Sequence, residues 1–118
     1  MVDYNLLEEM SARIAGQVIE LVRTMTPDKT ERYTVKNFFA AVDTTGGYIR
    51  AIGCNTGNES LKRRLNAALE GACKAMFCLD MLNQMAVVEI ACYEKVMASY
   101  NELADQLTLV LNSLNGEK

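Results

Sequence analysis

Residues Asn58 to Leu82, NESLKRRLNAALEGACKAMFCLDML, place apolar side chains on two opposite sides of one helix, and few folds can use such a segment. Leu61, Leu65, Leu69, Met76 and Leu79, with Ala68 and Ala72 between them, recur at steps of three and four, the spacing of a buried helical face. At about 100° per residue, Arg63, Ala67, Glu70, Lys74, Phe77 and Met81 line up on the other side. In a monomer that second side belongs to water, yet its C-terminal half carries Phe77 and Met81. Large apolar groups gathered on an outer face mark contact with another subunit, so the pattern predicts an oligomer.

The rest of the chain reads as helices that pack on this one. Its 118 residues suit one domain, 1–118, with one core. Ala, Leu, Met, Glu, Lys and Gln are plentiful and there is one proline, at position 27, so helix is the favoured conformation. The first helix is expected from about Asp3 to Thr24 or Met25, with Leu7, Met10, Ile14, Val18, Leu21 and Met25 on its stripe. Thr26-Pro27-Asp28 ends it, because proline disfavours helical geometry in the residue before it.

A second helix starts near Asp28 or Thr30, with Asp28 and Glu31 suited to its first turn and Val35, Phe38, Phe39, Val42, Ile49 and Ile52 in helical phase. Asp43-Thr44-Thr45-Gly46-Gly47 interrupts it with poor helix formers, which predicts a kink, a bulge or the close approach of a neighbouring helix. Gly53 to Asn58 is a true break, and Thr56 with Glu59 has the form of a capping box for the third helix. The third and fourth helices divide at Leu82-Asn83-Gln84-Met85. The fourth runs from about Val87 to Leu114 and buries Tyr93, Met97, Tyr100, Ala104, Leu107, Leu111 and Leu114. Four helices of about 22 to 28 residues, each roughly 33 to 42 Å long, joined by short turns, describe an all-α, antiparallel up-down four-helix bundle.

Catalytic chemistry finds no footing in these residues. Histidine is absent, which removes the commonest general base and transition-metal ligand, and a di-iron bundle site needs Glu-x-x-His on two helices. Cys54, Cys73, Cys78 and Cys92 form no CxxC pair, which fits buried thiols in a reducing compartment better than zinc. No apolar run reaches the roughly 18 to 20 residues of a membrane span, and no leader pattern opens the chain. The expectation is a soluble, cytoplasmic, non-enzymatic protein without metal or cofactor.

Charge is uneven along the chain. The net value is −3, but Lys29, Arg32, Lys36, Arg50, Lys62, Arg63, Arg64 and Lys74 face only Glu31, Asp43, Glu59 and Glu70 within residues 29–74. An acidic protein can carry a basic face built from such a segment.

Within the second and third helices, Arg32-Tyr33, Ala40-Ala41-Val42, Ile49 to Gly53, Asn58-Glu59-Ser60 and Arg63-Arg64-Leu65-Asn66-Ala67-Ala68-Leu69-Glu70-Gly71 form a recognisable series. It resembles the pattern of the four-helix-bundle family encoded by intervening sequences of bacterial 23S ribosomal RNA. Relatives of that family include the accessory variability determinant of diversity-generating retroelements. The glutamate of the family's Ile-Ala-Glu-Gly segment has no counterpart here. The resemblance implies a homopentameric ring without enzymatic activity. For the retroelement branch it implies a basic surface that binds a reverse transcriptase and its template RNA.

On that reading Arg50, Lys62, Arg63, Arg64 and Lys74 are the candidate phosphate contacts. Ala67, Phe77 and Met81, with Val87 and Val88 at the start of the fourth helix, are the candidate oligomer interface. The alternative is an oligomeric adaptor or inhibitor that holds a protein partner through Phe77, Met81 and Val87-Val88.

Overall fold

A computed structural model describes residues 4–52 and 58–116, apart from the side chains of Thr30 and Asn58. The described residues form four helices and no strand: α1 (Tyr4–Arg23), α2 (Lys29–Ala51), α3 (Asn58–Gln84) and α4 (Ile90–Gly116). They assemble into a rod of 50 × 22 × 20 Å. Each helix packs against its neighbours in the chain, and α1 also packs against α4, so the four surround a common core.

The stripe expected on α1 is the stripe observed, with Leu7, Met10, Ile14, Val18 and Leu21 buried. That of α3 is met in part: Leu65, Ala68, Ala72 and Leu79 are buried as expected, Leu61, Leu69 and Met76 are half-buried, and Ala75 and Leu82 are buried in addition. Each fully buried leucine contributes about 1.5–3 kcal/mol relative to its exposed state. On α4 the buried face is rotated from the expected one. Val96, Leu103 and Val110 lie inside with Tyr100, Leu107, Leu111 and Leu114, while Tyr93, Met97 and Ala104 are half-buried. Residues at three-and-four spacing on adjoining faces of an apolar helix give nearly equal patterns, and only the neighbouring helices select one.

Asp28 is the N-cap of α2: its carboxylate accepts from the Glu31 amide at 2.9 Å, and the Glu31 carboxylate accepts from the Asp28 amide at 3.0 Å. This reciprocal pair satisfies two amides that the first helical turn leaves free. The Asp3 cap and the Thr56 capping box expected from sequence lie outside the described residues.

At α3's end the sequence offers neither glycine nor proline, and the turn is made by backbone alone. Ala86 takes a positive φ of 60°. Its amide donates to the Asn83 carbonyl and the Val87 amide to the Leu82 carbonyl, at 3.0 and 3.1 Å. This is the Schellman arrangement, which satisfies carbonyls at a helix end, and half-buried Val87 packs against the core that contains Leu82. The left-handed position is normally glycine's, so alanine holds it at a conformational cost of about 1–2 kcal/mol.

The Thr44-Thr45-Gly46-Gly47 stretch neither kinks into a loop nor breaks: α2 runs through it. Thr44 and Thr45 donate their hydroxyls to the carbonyls of Ala40 and Ala41, each at 2.9 Å, so the polar groups are satisfied within the helix. A neighbouring helix does come close here, and the glycine that admits it is Gly71 on α3. A Cβ on Gly71 would lie 2.5 Å from the Thr45 hydroxyl and 3.1 Å from the Thr45 amide nitrogen.

Candidate functional site

The outward faces of α2 and α3 enclose a groove of about 620 Å³. Its floor is made of small residues, Ala40, Ala41 and Thr44 from α2 and Ala67 and Gly71 from α3. The small floor follows from the close helix approach at Gly71, which brings the two backbones together and leaves a furrow outside their contact line. Large or charged groups border it: Tyr48 from α2, and Glu70, Lys74 and Phe77 from α3. Phe77 is 66% exposed and Tyr48 42%.

Three residues singled out from the second stripe of α3, Ala67, Lys74 and Phe77, thus line one groove, while Met81 is half-buried one turn beyond Phe77. Val88 does not share that surface. It is 8% exposed and belongs to the chain's own core, with Val87 packed partly against it, because the Schellman turn folds both residues inward. The expectation of an outer apolar patch at Val87-Val88 is corrected accordingly.

Tyr48, Ala40 and Thr44 were not anticipated as site residues. The signal was present in the spacing Tyr33, Asn37, Ala40, Thr44, Tyr48, a second helical stripe on α2. Its small members are individually unremarkable, so only the facing α3 stripe gives them meaning.

The basic residues occupy different surroundings. Lys62, Arg63 and Arg64 lie in the first two turns of α3, and Arg50 in the last turn of α2. The Arg64 guanidinium donates to the Ala51 carbonyl at 2.8 Å, which satisfies a terminal carbonyl of α2 and opposes the negative end of that helix. Arg50 sits elsewhere on the circumference, lining the cleft between α1 and α2. Arg63 is exposed and Lys62 half-buried. Lys74 lies ten residues from Arg64, roughly 15 Å along the helix at 1.5 Å per residue, within the groove. The five cations therefore fall into three places: Lys62, Arg63 and Arg64 at the start of α3, Arg50 in the α1–α2 cleft, and Lys74 beside Phe77 in the groove.

Two side chains near the other end of α3 show shifted ionisation. The Tyr93 hydroxyl donates to the Asp80 carboxylate, and that bond, helped by partial burial, raises the phenol's pKa. Burial raises the Cys78 thiol, so this groove residue is a poor nucleophile at neutral pH. Among the described residues no group of three or more His, Cys, Asp or Glu side chains is placed to hold a metal ion, and no helix is long and apolar enough to cross a membrane.

Comparison with protein-family models, with curated proteins and with solved structures finds no match to this chain.

Proposed function

We propose that the chain is a non-enzymatic scaffold that self-associates through the α2–α3 groove, in the manner of the ring-forming family it resembles. The observation that carries this reading is Phe77, two-thirds exposed beside a floor of small residues that a second chain's helix can approach closely. The reading includes an antiparallel up-down order of the four helices. It is supported by contacts that run in opposite chain directions: Arg64 meets Ala51 while Gly71 would meet Thr45, and Arg13 faces Glu102 while Glu20 faces Lys95.

In the complete reading, five copies form a cytoplasmic ring. The α2–α3 ends then repeat Arg50, Lys62, Arg63 and Arg64 around it and bind the phosphates of an RNA presented by, or to, a reverse transcriptase. Repetition supplies avidity that one chain of net charge −3 lacks. The second reading, a protein-binding adaptor, uses the same groove. It is favoured by the apolar rim of Tyr48 and Phe77, which suits a partner's helix as well as a second copy.

Light scattering tests the ring, and the salt dependence of binding separates the scaffold from the oligomeric adaptor. The parent chain is expected to give a mass near five chains, and Phe77→Glu is expected to reduce it to one; a parent that stays monomeric at high concentration removes the ring. For the nucleic-acid part, Lys62→Glu with Arg63→Glu is the suitable pair, because Lys74 lies in the groove and its change would disturb assembly as well. The pair is expected to abolish RNA binding, and parental binding should fall steeply with salt. Salt-independent association with a protein, and none with RNA, selects the adaptor.

A further inference from the structure

Two adjoining sides of the bundle meet at α2, and both are open. Among the described residues α1 and α3 each pack on α2 and on α4, while neither diagonal pair packs directly, so the helices stand at the corners of a nearly square section, 22 × 20 Å across. The groove is the α2–α3 side and the cleft of about 610 Å³ the α1–α2 side. The two sides face outward at roughly a right angle to each other.

The α1–α2 side carries exposed Ala12 and Ala15 from α1, with Asp43 and Gly46 from α2. Helical phase continues these lines to Ile19, four residues after Ala15, and to Phe39, four before Asp43. Ile19 is 55% exposed and Phe39 38%. Three exposed carboxylates on this side, Glu8, Glu9 and Asp43, stand against one cation, Arg50. None of the four makes an ion pair with another described residue, and neither does Lys74 in the groove.

The two sides match in height along the bundle. Thr45 lies beside Gly71, and Ser11 beside Gly46, which sets the levels of α3 and α1 against α2 in the antiparallel order given above. Phe77, six residues beyond Gly71, is therefore level with Phe39, six before Thr45. Ile19, eight beyond Ser11, is level with Phe38, next to Phe39. Lys74, three beyond Gly71, comes level with Val42, next to Asp43.

We infer that the groove of one copy receives the α1–α2 side of the next, an inference that rests on self-association through the groove. Phe77 packs on Ile19 and Phe39 of the neighbouring copy, and Lys74 pairs with its Asp43. Glu70 comes level with Gly46, where the α1–α2 side is open, with Arg50 one turn beyond. The contact joins unlike surfaces, so each copy is turned relative to the last. Because the apolar groups and the charges share one level, no step along the axis accompanies the turn, and the copies close a ring instead of a filament. Pairing groove to groove about a two-fold axis would leave the carboxylates of the α1–α2 side without a partner.

The test uses Ile19→Glu and Phe77→Glu, two exposed positions that take a charge without burying it, followed by light scattering. Each variant alone is expected at the mass of one chain. Mixed in equal amounts they are expected to form a two-chain particle, since one keeps its groove and the other its α1–α2 side. If Ile19→Glu assembles as the parent does, or stops at a dimer by itself, the inference is overturned while self-association through the groove stands. A parent that is monomeric at high concentration removes both, and a mixture that stays monomeric removes the inference. Should circular dichroism show that Ile19→Glu disturbs the fold, the charge pair decides. Lys74→Glu is expected to weaken assembly about tenfold or more, and Asp43→Lys added to it to restore assembly. A double variant that assembles no better than Lys74→Glu overturns the inference.

Discussion

Helix α2 meets α3 along one side and α1 along another, and the two contacts use glycine in opposite ways. The α2–α3 contact is the most extensive in the bundle and the α1–α2 contact the least. On the first side, a Cβ added to Gly71 of α3 would lie 2.5 Å from the Thr45 hydroxyl and 3.4 Å from the Ala41 carbonyl oxygen, so the place of a side chain is already taken by α2. On the second side, a Cβ added to Gly46 would meet only the Ser11 hydroxyl at 3.6 Å, and one added to Gly47 nothing within 4 Å. The space there stays open as the cleft. A glycine inside a helix is thus a packing device in one case and a vacancy in the other, although each weakens its helix by a similar amount.

The sharpest way to break this contrast is Gly71→Val. A branched side chain cannot fit beside Thr45, whose hydroxyl is held by the Ala41 carbonyl, so a loss of about 3 kcal/mol is expected, at the upper end of overpacking costs. Urea unfolding measures it, and a loss under half that size would mean α2 and α3 separate easily.

Alkaline pH probes the loose side. Burial raises the Tyr100 pKa, so its neutral form contributes stability that is intact below about pH 10, the unfolded chain's value, and declines as pH climbs from there toward the folded-state pKa. Tyr100→Phe is expected to flatten this decline in a series of thermal melts between pH 9 and 11. An unchanged slope would place the alkaline weakness elsewhere, with Tyr93 as the next phenol of raised pKa.

Gly46→Ala should have the opposite sign to any substitution at Gly71: a gain of about 0.5–1 kcal/mol, from helix propensity and a stiffer unfolded chain. A loss would show that the cleft is closed in solution. The smallest effect expected is Ala86→Gly, a gain below about 1 kcal/mol, because glycine takes the left-handed turn position without the strain alanine bears.

Much of the bundle was legible from residue spacing. The stripe of α1, the Leu65, Ala68, Ala72 and Leu79 part of the α3 stripe, the proline-marked end of α1 and the division near Gln84 stand where periodicity and turn chemistry put them. The site was legible in halves. Alignment of Ala67, Lys74 and Phe77 followed from helical geometry alone, whereas Tyr48, Ala40 and Thr44 needed α3 beside them. Val88 went the other way, since its apolar character says that it is buried but not by which surface. The run Lys62-Arg63-Arg64 shows a similar limit: the sequence marks the charge, while the Ala51 carbonyl engages Arg64 and changes what that cation is free to do.

What the sequence determined by itself is what depends on near neighbours along the chain: four helices, the capping box of α2 at Asp28 and Glu31, and which face of α1 turns inward. These follow from a period of 3.6 residues and from hydrogen bonds that span three or four positions. Tertiary structure alone decided which glycine is pressed and which is open, which of two near-equivalent faces α4 buries, and that Tyr100 lies buried beneath the α1–α2 cleft. Each of those outcomes depends on the separation of two helices far apart in sequence, and that separation is set by all the side chains at the contact together.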